Sequence, residues 1–216
     1  KNNKRLIYAS SAATYGDGSN LFDDREDDQY LSKLNPLNLY GWSKQIFDRL
    51  INKKKEQPPQ IVGLKFFNVY GPNENHKGSM KSIVLKIHQT ISKGMDVKLF
   101  KSHNENYKDG EQLRDFIYVK DVVSIIEWFI ENPKLNGLFN VGTGVPRSFN
   151  DIAKAVFSNS NKREKITYID TPIEIRNQYQ YFTKANIKKL RGSGYLKDFF
   201  SLEDGIKDYI IKNLIK

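Results

Sequence analysis

An α/β fold built on parallel strands follows from three features of this chain of 216 residues. Short apolar runs alternate with amphipathic stretches along its length, the pattern of strands joined by helices. The run from Gln60 to Phe67 is apolar more than it alternates, as a central parallel strand covered on both faces must be. Breakers then fall where helices should stop, at Gln57-Pro58-Pro59, at Gly94 and at Pro133.

The elements are assigned in order. Residues 5–11 read as a strand, led by the buried pattern Arg5-Leu6-Ile7-Tyr8-Ala9. Residues 16–35 are polar and turn-rich, with Asp23, Asp24, Arg25, Glu26, Asp27 and Asp28 in a row, and are expected to form an exposed loop. A helix is expected from about Asn38 to about Lys54, where Lys53, Lys54 and Lys55 suit the negative end of the helix dipole. A loop should start at Gly71-Pro72 and end at Gly78. Ser79 is then expected to cap a helix running to about Lys93, with Ile83, Ile87 and Ile91 on one stripe. Val97–Phe100 reads as a short strand, Ser102–Gln112 as a polar insertion, and Asp115–Val119 as extended chain. Val119–Glu131 reads as a helix and Leu138–Val141 as the last sheet strand. Ser148 should open a helix, 166–169 a strand, Thr183 a short capped helix, and Ser201 the closing helix.

Composition narrows the function classes. There is no cysteine, which removes disulfides and thiolate metal sites. No run approaches the ~18 apolar residues of a membrane span, and no signal-peptide pattern opens the chain, so a soluble cytoplasmic protein is expected. The net charge of +10 invites a nucleic-acid reading. However, 27 lysines stand against 8 arginines and are scattered, which reads as a solvated surface. No glycine-rich phosphate-binding fingerprint is found: Gly142-Thr143-Gly144 follows a strand but lacks the third glycine at the right spacing.

The chemistry lies in Pro36-Leu37-Asn38-Leu39-Tyr40-Gly41-Trp42-Ser43-Lys44. A spacing of four puts Tyr40 and Lys44 on one helix face, one turn apart. A cation beside a phenol favours the phenolate. Such a tyrosine can take a proton from an alcohol while a hydride leaves the same carbon. Upstream, Ser11 closes Tyr8-Ala9-Ser10-Ser11 and can bridge the phenol and the reacting oxygen. Ser10 is its rival. The residues by themselves leave both serines open.

With Ser10-Ser11-Ala12-Ala13-Thr14-Tyr15-Gly16, Tyr40…Lys44 and Phe67-Asn68-Val69-Tyr70-Gly71-Pro72 in hand, the chain resembles the extended short-chain dehydrogenase/reductase superfamily. Four further segments narrow the match: His76-Lys77-Gly78-Ser79-Met80, Lys98-Leu99-Phe100, Arg114-Asp115-Phe116-Ile117-Tyr118 and Phe139-Asn140-Val141-Gly142-Thr143-Gly144. Together they resemble the ADP-L-glycero-D-manno-heptose 6-epimerase family, from about residue 4 to the C-terminus. The resemblance implies a Rossmann-like doubly wound parallel sheet, with its first half absent, and a smaller mixed α/β substrate-binding domain. Residues 1–72 are assigned to the cofactor domain, 73–115 to a substrate-domain segment, 116–145 to a return into the cofactor domain, and 146–216 to the substrate-binding C-terminal domain. The chain is accordingly read as the C-terminal two-thirds of a longer enzyme.

The resemblance also implies the reaction. An ADP-heptose is oxidised at C6'' by bound NADP and reduced on the other face, inverting that carbon in a step toward the lipopolysaccharide inner core. NADP over NAD rests on the resemblance alone. Tyr40 is the first base, Lys44 holds the nicotinamide ribose, and Ser11 bonds the reacting oxygen. Lys77 is the second base and lies near the cofactor, with His76 as its competitor. Val69 lines the nicotinamide and Asn68 binds sugar hydroxyls, both at the sheet's switch region. Ser79 at a helix N-terminus holds an oxyanion. Arg114 offers a bidentate donor to the substrate diphosphate, with an ion pair to Asp115 or Asp121 as the plain alternative. Phe100 and Tyr179 are substrate contacts, core packing being the alternative for each. Lys86 stands where family members place a histidine, which puts that contact in doubt. The family implies a homo-oligomer, a pentamer, with neither nucleic-acid nor membrane partners. The competing readings are another sugar-nucleotide epimerase or dehydratase of the superfamily, an inactive fragment lacking the cofactor half, or a basic binding module.

Overall fold

Strand and helix succeed one another through the computed structural model, which describes residues 4–176 and 179–214. In chain order they are β1 (Leu6–Ser11), α1 (Asp28–Leu31), α2 (Leu39–Lys53), β2 (Ile61–Phe66), β3 (Asn68–Tyr70), α3 (Ile83–Ser92), β4 (Val97–Phe100) and β5 (Leu113–Tyr118). Then come α4 (Val119–Glu131), β6 (Gly137–Val141), β7 (Pro146–Ser148), α5 (Phe149–Asn159), β8 (Ile166–Ile169), α6 (Ile173–Arg176), α7 (Lys188–Gly192) and α8 (Leu202–Tyr209). Short 3-10 turns cover Ala12–Tyr15 and Asn75–Met80, and a π-helical turn, Ile210–Leu214, extends the closing helix. The chain divides into two compact units. The first holds the chain up to Phe67, Val122–Val145 and Thr183–Asp198; the second holds Asn68–Asp121, Pro146–Phe182 and the chain from Phe199.

In the first unit β1, β2 and β6 form a parallel sheet in that order, with Leu6 opposite Ile61 and Val62 opposite Gly137. The middle strand β2 is buried along almost its whole length, which is why it reads as an unbroken apolar run. Helix α2 carries the crossover from β1 to β2 and turns Gly41, Gln45 and Asp48 inward. The expectation of an exposed loop over 16–35 is corrected here. Phe22, Tyr30, Leu31 and Leu34 are core residues, and Asp24 is buried with its carboxylate accepting the Asn140 N–H at 2.9 Å. Tyr30 and Leu31 sit on α1, a helix of four residues capped by Asp27, and the acidic run around so short an element masked it. Residues 183–198, assigned to the C-terminal domain, also belong to this unit. Asn186 donates its N–H to the Phe22 carbonyl at 3.2 Å, and the Asn140 amide donates to the Asn186 carbonyl at 3.1 Å. Thr183 is buried and caps no helix; the nearest one, α7, starts at Lys188 after Ile187 with no side-chain cap.

In the second unit β3 and β5 pair in parallel, β5 and β7 antiparallel, and β4 and β8 in parallel. Ile87 and Ile91 of α3, Ile152 and Val156 of α5, and Ile206 of α8 pack with Tyr118 into one core. Ser148 and Ser201 cap α5 and α8 as expected. The cap of α3 is Ser82 rather than Ser79: the Ser82 hydroxyl accepts the Leu85 N–H, while Ser79 lies in the 3-10 turn before it. The 102–112 insertion is tied down, with the Ser102 N–H on the Asp109 carboxylate at 2.8 Å and the Gly110 N–H on the Phe100 carbonyl at 3.3 Å.

Asp121, in the first turn of α4, is buried and accepts the Phe200 N–H at 3.1 Å. Burial raises its pKa to about 6, with the Phe200 N–H acting the other way. The folded protein therefore binds this proton more tightly than the unfolded chain. The resulting stabilisation is complete below the unfolded value of 3.8 and is lost as pH rises through about 6. Asp121→Asn is expected to raise the thermal midpoint relative to wild type at about pH 8 by more than at about pH 4. Equal differences at both pH values would remove Asp121 from the pH dependence.

Candidate active site

The first unit brings the serine, tyrosine and lysine segments onto one another. Ser11 ends β1 in extended conformation, and its hydroxyl accepts the Ala13 N–H at 3.1 Å, starting the 3-10 turn. Ser10 is one residue earlier and so faces the other side of the strand. It is buried and donates to the Asp48 carboxylate at 2.7 Å, which ties it into the interior, whereas Ser11 is half-buried.

Helix α2 begins after Asn38, whose side chain accepts the Gly41 N–H at 2.8 Å. Tyr40 and Lys44 therefore fall in its opening turns. Gly41 lies hard against the turn that follows Ser11. A Cβ there would meet the Ala13 carbonyl oxygen at 2.7 Å and the Pro36 Cβ at 2.8 Å, so glycine is what lets the two segments approach. Tyr40 is 56% exposed. The Lys44 ammonium donates to the Ala9 carbonyl of β1 at 2.9 Å and stands 5.8 Å from the centroid of the Tyr40 ring, within cation–π reach. A phenol open to solvent thus sits beside a cation that the sheet itself holds in place.

The second unit holds the remaining predicted residues in two groups. Lys77 and His76 are exposed on the 3-10 turn, which kinks at Gly78, where φ is +55° and the surrounding space is open. The base of the turn is clamped. The buried Glu74 carboxylate accepts the Ser82 N–H at 2.7 Å, the Ser82 hydroxyl at 2.5 Å and the Tyr209 hydroxyl at 3.2 Å, and the Glu74 carbonyl accepts the Lys77 N–H at 3.1 Å. Ser79 shares this exposed turn. The expectation that it holds an oxyanion at a helix N-terminus loses its basis, because the helix starts beyond Ser82. Lys86 is exposed on α3, and on β3 Asn68 is exposed and Val69 half-buried.

The other group comes together around Arg114. Its guanidinium lies 5.4 Å from the Tyr179 ring, and Tyr179 meets Phe100 edge-on at 6.2 Å. The guanidinium also donates to the Leu113 carbonyl at 2.9 Å and to the Gln180 carbonyl. Burial raises the Tyr179 phenol pKa, while Arg114 acts to lower it. Tyr181 extends this aromatic wall at 5.2 Å from Tyr179, and Tyr107 of the insertion extends it further at 5.4 Å from Tyr181. Gly41, Glu74, Tyr107 and Tyr181 were not anticipated. The signal for Gly41 lay in its place between Tyr40 and Lys44, and that for Glu74 in its place just before the His76 turn. Among the described residues no group of three or more His, Cys, Asp or Glu could hold a metal ion, and no helix is long and apolar enough to cross a membrane.

Residues 1–142 match the NAD dependent epimerase/dehydratase family, and the chain belongs to it. It is 49% identical over 220 residues to the ADP-L-glycero-D-manno-heptose-6-epimerase of Fusobacterium nucleatum subsp. nucleatum, covering 99% of this chain and 66% of that protein. It is 50% identical over 206 residues to the enzyme of the same name from Nitratidesulfovibrio vulgaris, covering 95% and 63%. Among solved structures it is similar to the ADP-L-glycero-D-manno-heptose-6-epimerase of Helicobacter pylori, at 32% identity and a TM-score of 0.74 over 96% of this chain and 59% of that one. The Thermus thermophilus UDP-glucose 4-epimerase in complex with NAD shares the fold at a TM-score of 0.74 and 22% identity, over 96% of this chain and 63% of that one. The chain spans 62–66% of the length of the two curated relatives and of one further curated relative of the same name.

Proposed function

We propose that the full-length protein epimerises ADP-D-glycero-D-manno-heptose at C6'' through a transient ketone, with NADP as its bound nicotinamide. The observation that carries this reading is the Lys44 ammonium anchored on Ala9 beside the exposed phenol of Tyr40, on the helix that packs against the turn after Ser11. The ammonium retains donor capacity beyond its bond to Ala9, which suits it to a ribose diol. The bound nicotinamide would supply a hydride acceptor that later returns the hydride. Tyr40 takes the hydroxyl proton, Ser11 holds the oxygen as it becomes a carbonyl, and Lys44 orients Tyr40 and holds the ribose. Inversion requires a proton donor and acceptor on the second face, and Lys77 is assigned that role, with His76 as the alternative. Val69 is assigned to the nicotinamide and Asn68 to sugar hydroxyls; Ser79 and Lys86 remain candidate substrate contacts. The identity to relatives named for this reaction supports the substrate.

Arg114 is assigned to the substrate diphosphate, with Phe100 and Tyr179 as flat partners for the nucleotide. Arg114→Ala is expected to raise the substrate KM roughly 10–150-fold, equivalent to about 1.5–3 kcal/mol for a charge-assisted hydrogen bond, with bound NADP retained. A variant that keeps its KM and loses NADP would move Arg114 to the cofactor. A homo-oligomer is also proposed. Leu39, Trp42, Ile46 and Leu50 form an exposed apolar stripe on α2, a face suited to a second copy. The function is tested by incubating the full-length protein with ADP-D-glycero-D-manno-heptose and following C6'' by NMR. Conversion to the L-glycero epimer supports it, whereas activity confined to C4 of a UDP-hexose would place the protein elsewhere in its family.

A further inference from the structure

We propose that the buried Lys65–Asp48 pair is a positioning device that holds Ser11, Tyr40 and Lys44 in register, a role that rests on the reaction proposed above. Lys65 lies on β2, the middle strand of the sheet, where an apolar residue would be expected. Both side chains are fully buried, with Nζ and Oδ2 2.7 Å apart. The Lys65 ammonium also donates to the Thr14 hydroxyl at 2.8 Å and lies 4.9 Å from the Tyr15 ring centroid. The Asp48 carboxylate also accepts the Ser10 hydroxyl at 2.7 Å and the Tyr8 hydroxyl at 3.1 Å. One ion pair thus ties together β1, the turn after it, β2 and α2.

Each chemical group is one short step from this network. Ser10 precedes Ser11, and the Thr14 hydroxyl donates to the Ser11 carbonyl at 2.9 Å. Asp48, on the inward side of α2, lies one turn beyond Lys44, and Lys44 lies one turn beyond Tyr40, so the pair anchors the helix that carries both groups. A buried ion pair is a poor means of stabilisation, since desolvation offsets the attraction, and well-packed apolar replacements are often neutral or stabilising. Burial indeed weakens the hold of Lys65 on its proton, with Asp48 working to restore it. What directional bonds to four elements supply is a fixed geometry. That is what a proton transfer between Tyr40 and a substrate held by Ser11 needs, because small misplacements slow catalysis steeply.

The test replaces the pair as a unit, Lys65→Met with Asp48→Leu, in the full-length protein, so that no buried charge is left alone. We expect the thermal midpoint and NADP content to be kept, KM to stay within about threefold, and kcat to fall on the order of 10–100-fold. Amide exchange at residues 9–14 and 39–44 should quicken without a change in global stability. Unchanged kcat with unchanged exchange would overturn the proposal. So would a fall in kcat that disappears when rates are normalised to folded, NADP-loaded enzyme. If the double variant does not fold, Ser10→Ala removes a single bond to Asp48, and its kcat should fall severalfold at constant KM; an unchanged kcat there would equally overturn the proposal. The exchange measurement needs no substrate. A wild-type protein inactive on ADP-heptose would discard the substrate reading and leave exchange to decide the positioning role.

Discussion

Tyr40→Phe in the full-length protein is expected to slow epimerisation by roughly 10²–10⁴-fold, the loss typical of a positioned acid/base group. The phenol is more than half exposed and sits on the first turn of a helix whose inward face is formed by Gly41, Gln45 and Asp48, so folding should be unaffected. Lys44 remains on the Ala9 carbonyl in the variant, so cofactor binding should also persist. Steady-state kinetics with purified variant and circular dichroism in parallel check both parts. A rate within about threefold of wild type would remove Tyr40 from proton transfer.

Lys77→Met is expected to be comparably damaging, by roughly 10²–10⁴-fold, if its amine is the second acid/base group. The turn that carries Lys77 is held by the Glu74 carboxylate on Ser82 and Tyr209, and not by the Lys77 side chain, so its shape should survive. The two variants should also differ from each other. With the two epimers supplied separately, reduction of bound NADP should survive for one epimer in Lys77→Met and for the other in Tyr40→Phe. Loss of the same epimer in both would place the two groups on one face and leave Lys77 as a phosphate ligand.

The periodic elements were legible because their signals are local. The apolar run 60–67 suits a doubly covered strand, and Asn38, Ser148 and Ser201 cap the helices where such residues cap helices. The pairing of Tyr40 with Lys44 was legible for the same reason, a helical spacing read directly. Ser79 was named as the cap of α3, and Ser82 takes that place because the buried Glu74 carboxylate accepts its N–H and hydroxyl, a long-range contact that no local pattern announces. The core under residues 16–35 was not legible, since its one helix, α1, is four residues long and stands in a strongly acidic stretch. Asp48 on α2 and Lys65 on β2 are separated by a helix–strand connection, so no local pattern marks them as partners. Arg114, Phe100 and Tyr179 were named separately in the sequence; that they stand together, and that Tyr181 and Tyr107 extend the group, depends on tertiary packing and on how the insertion folds back.

The most direct test of the account uses ADP-D-glycero-D-manno-heptose carrying deuterium at C6'', turned over by the full-length protein in ordinary water. Oxidation and re-reduction by one bound nicotinamide move that hydrogen off the carbon and back without exposure to solvent. The account predicts an L-glycero product that keeps its deuterium at C6''. Inversion with the label washed out into water would mean proton abstraction from carbon and would contradict it, as would the absence of any inversion at C6''.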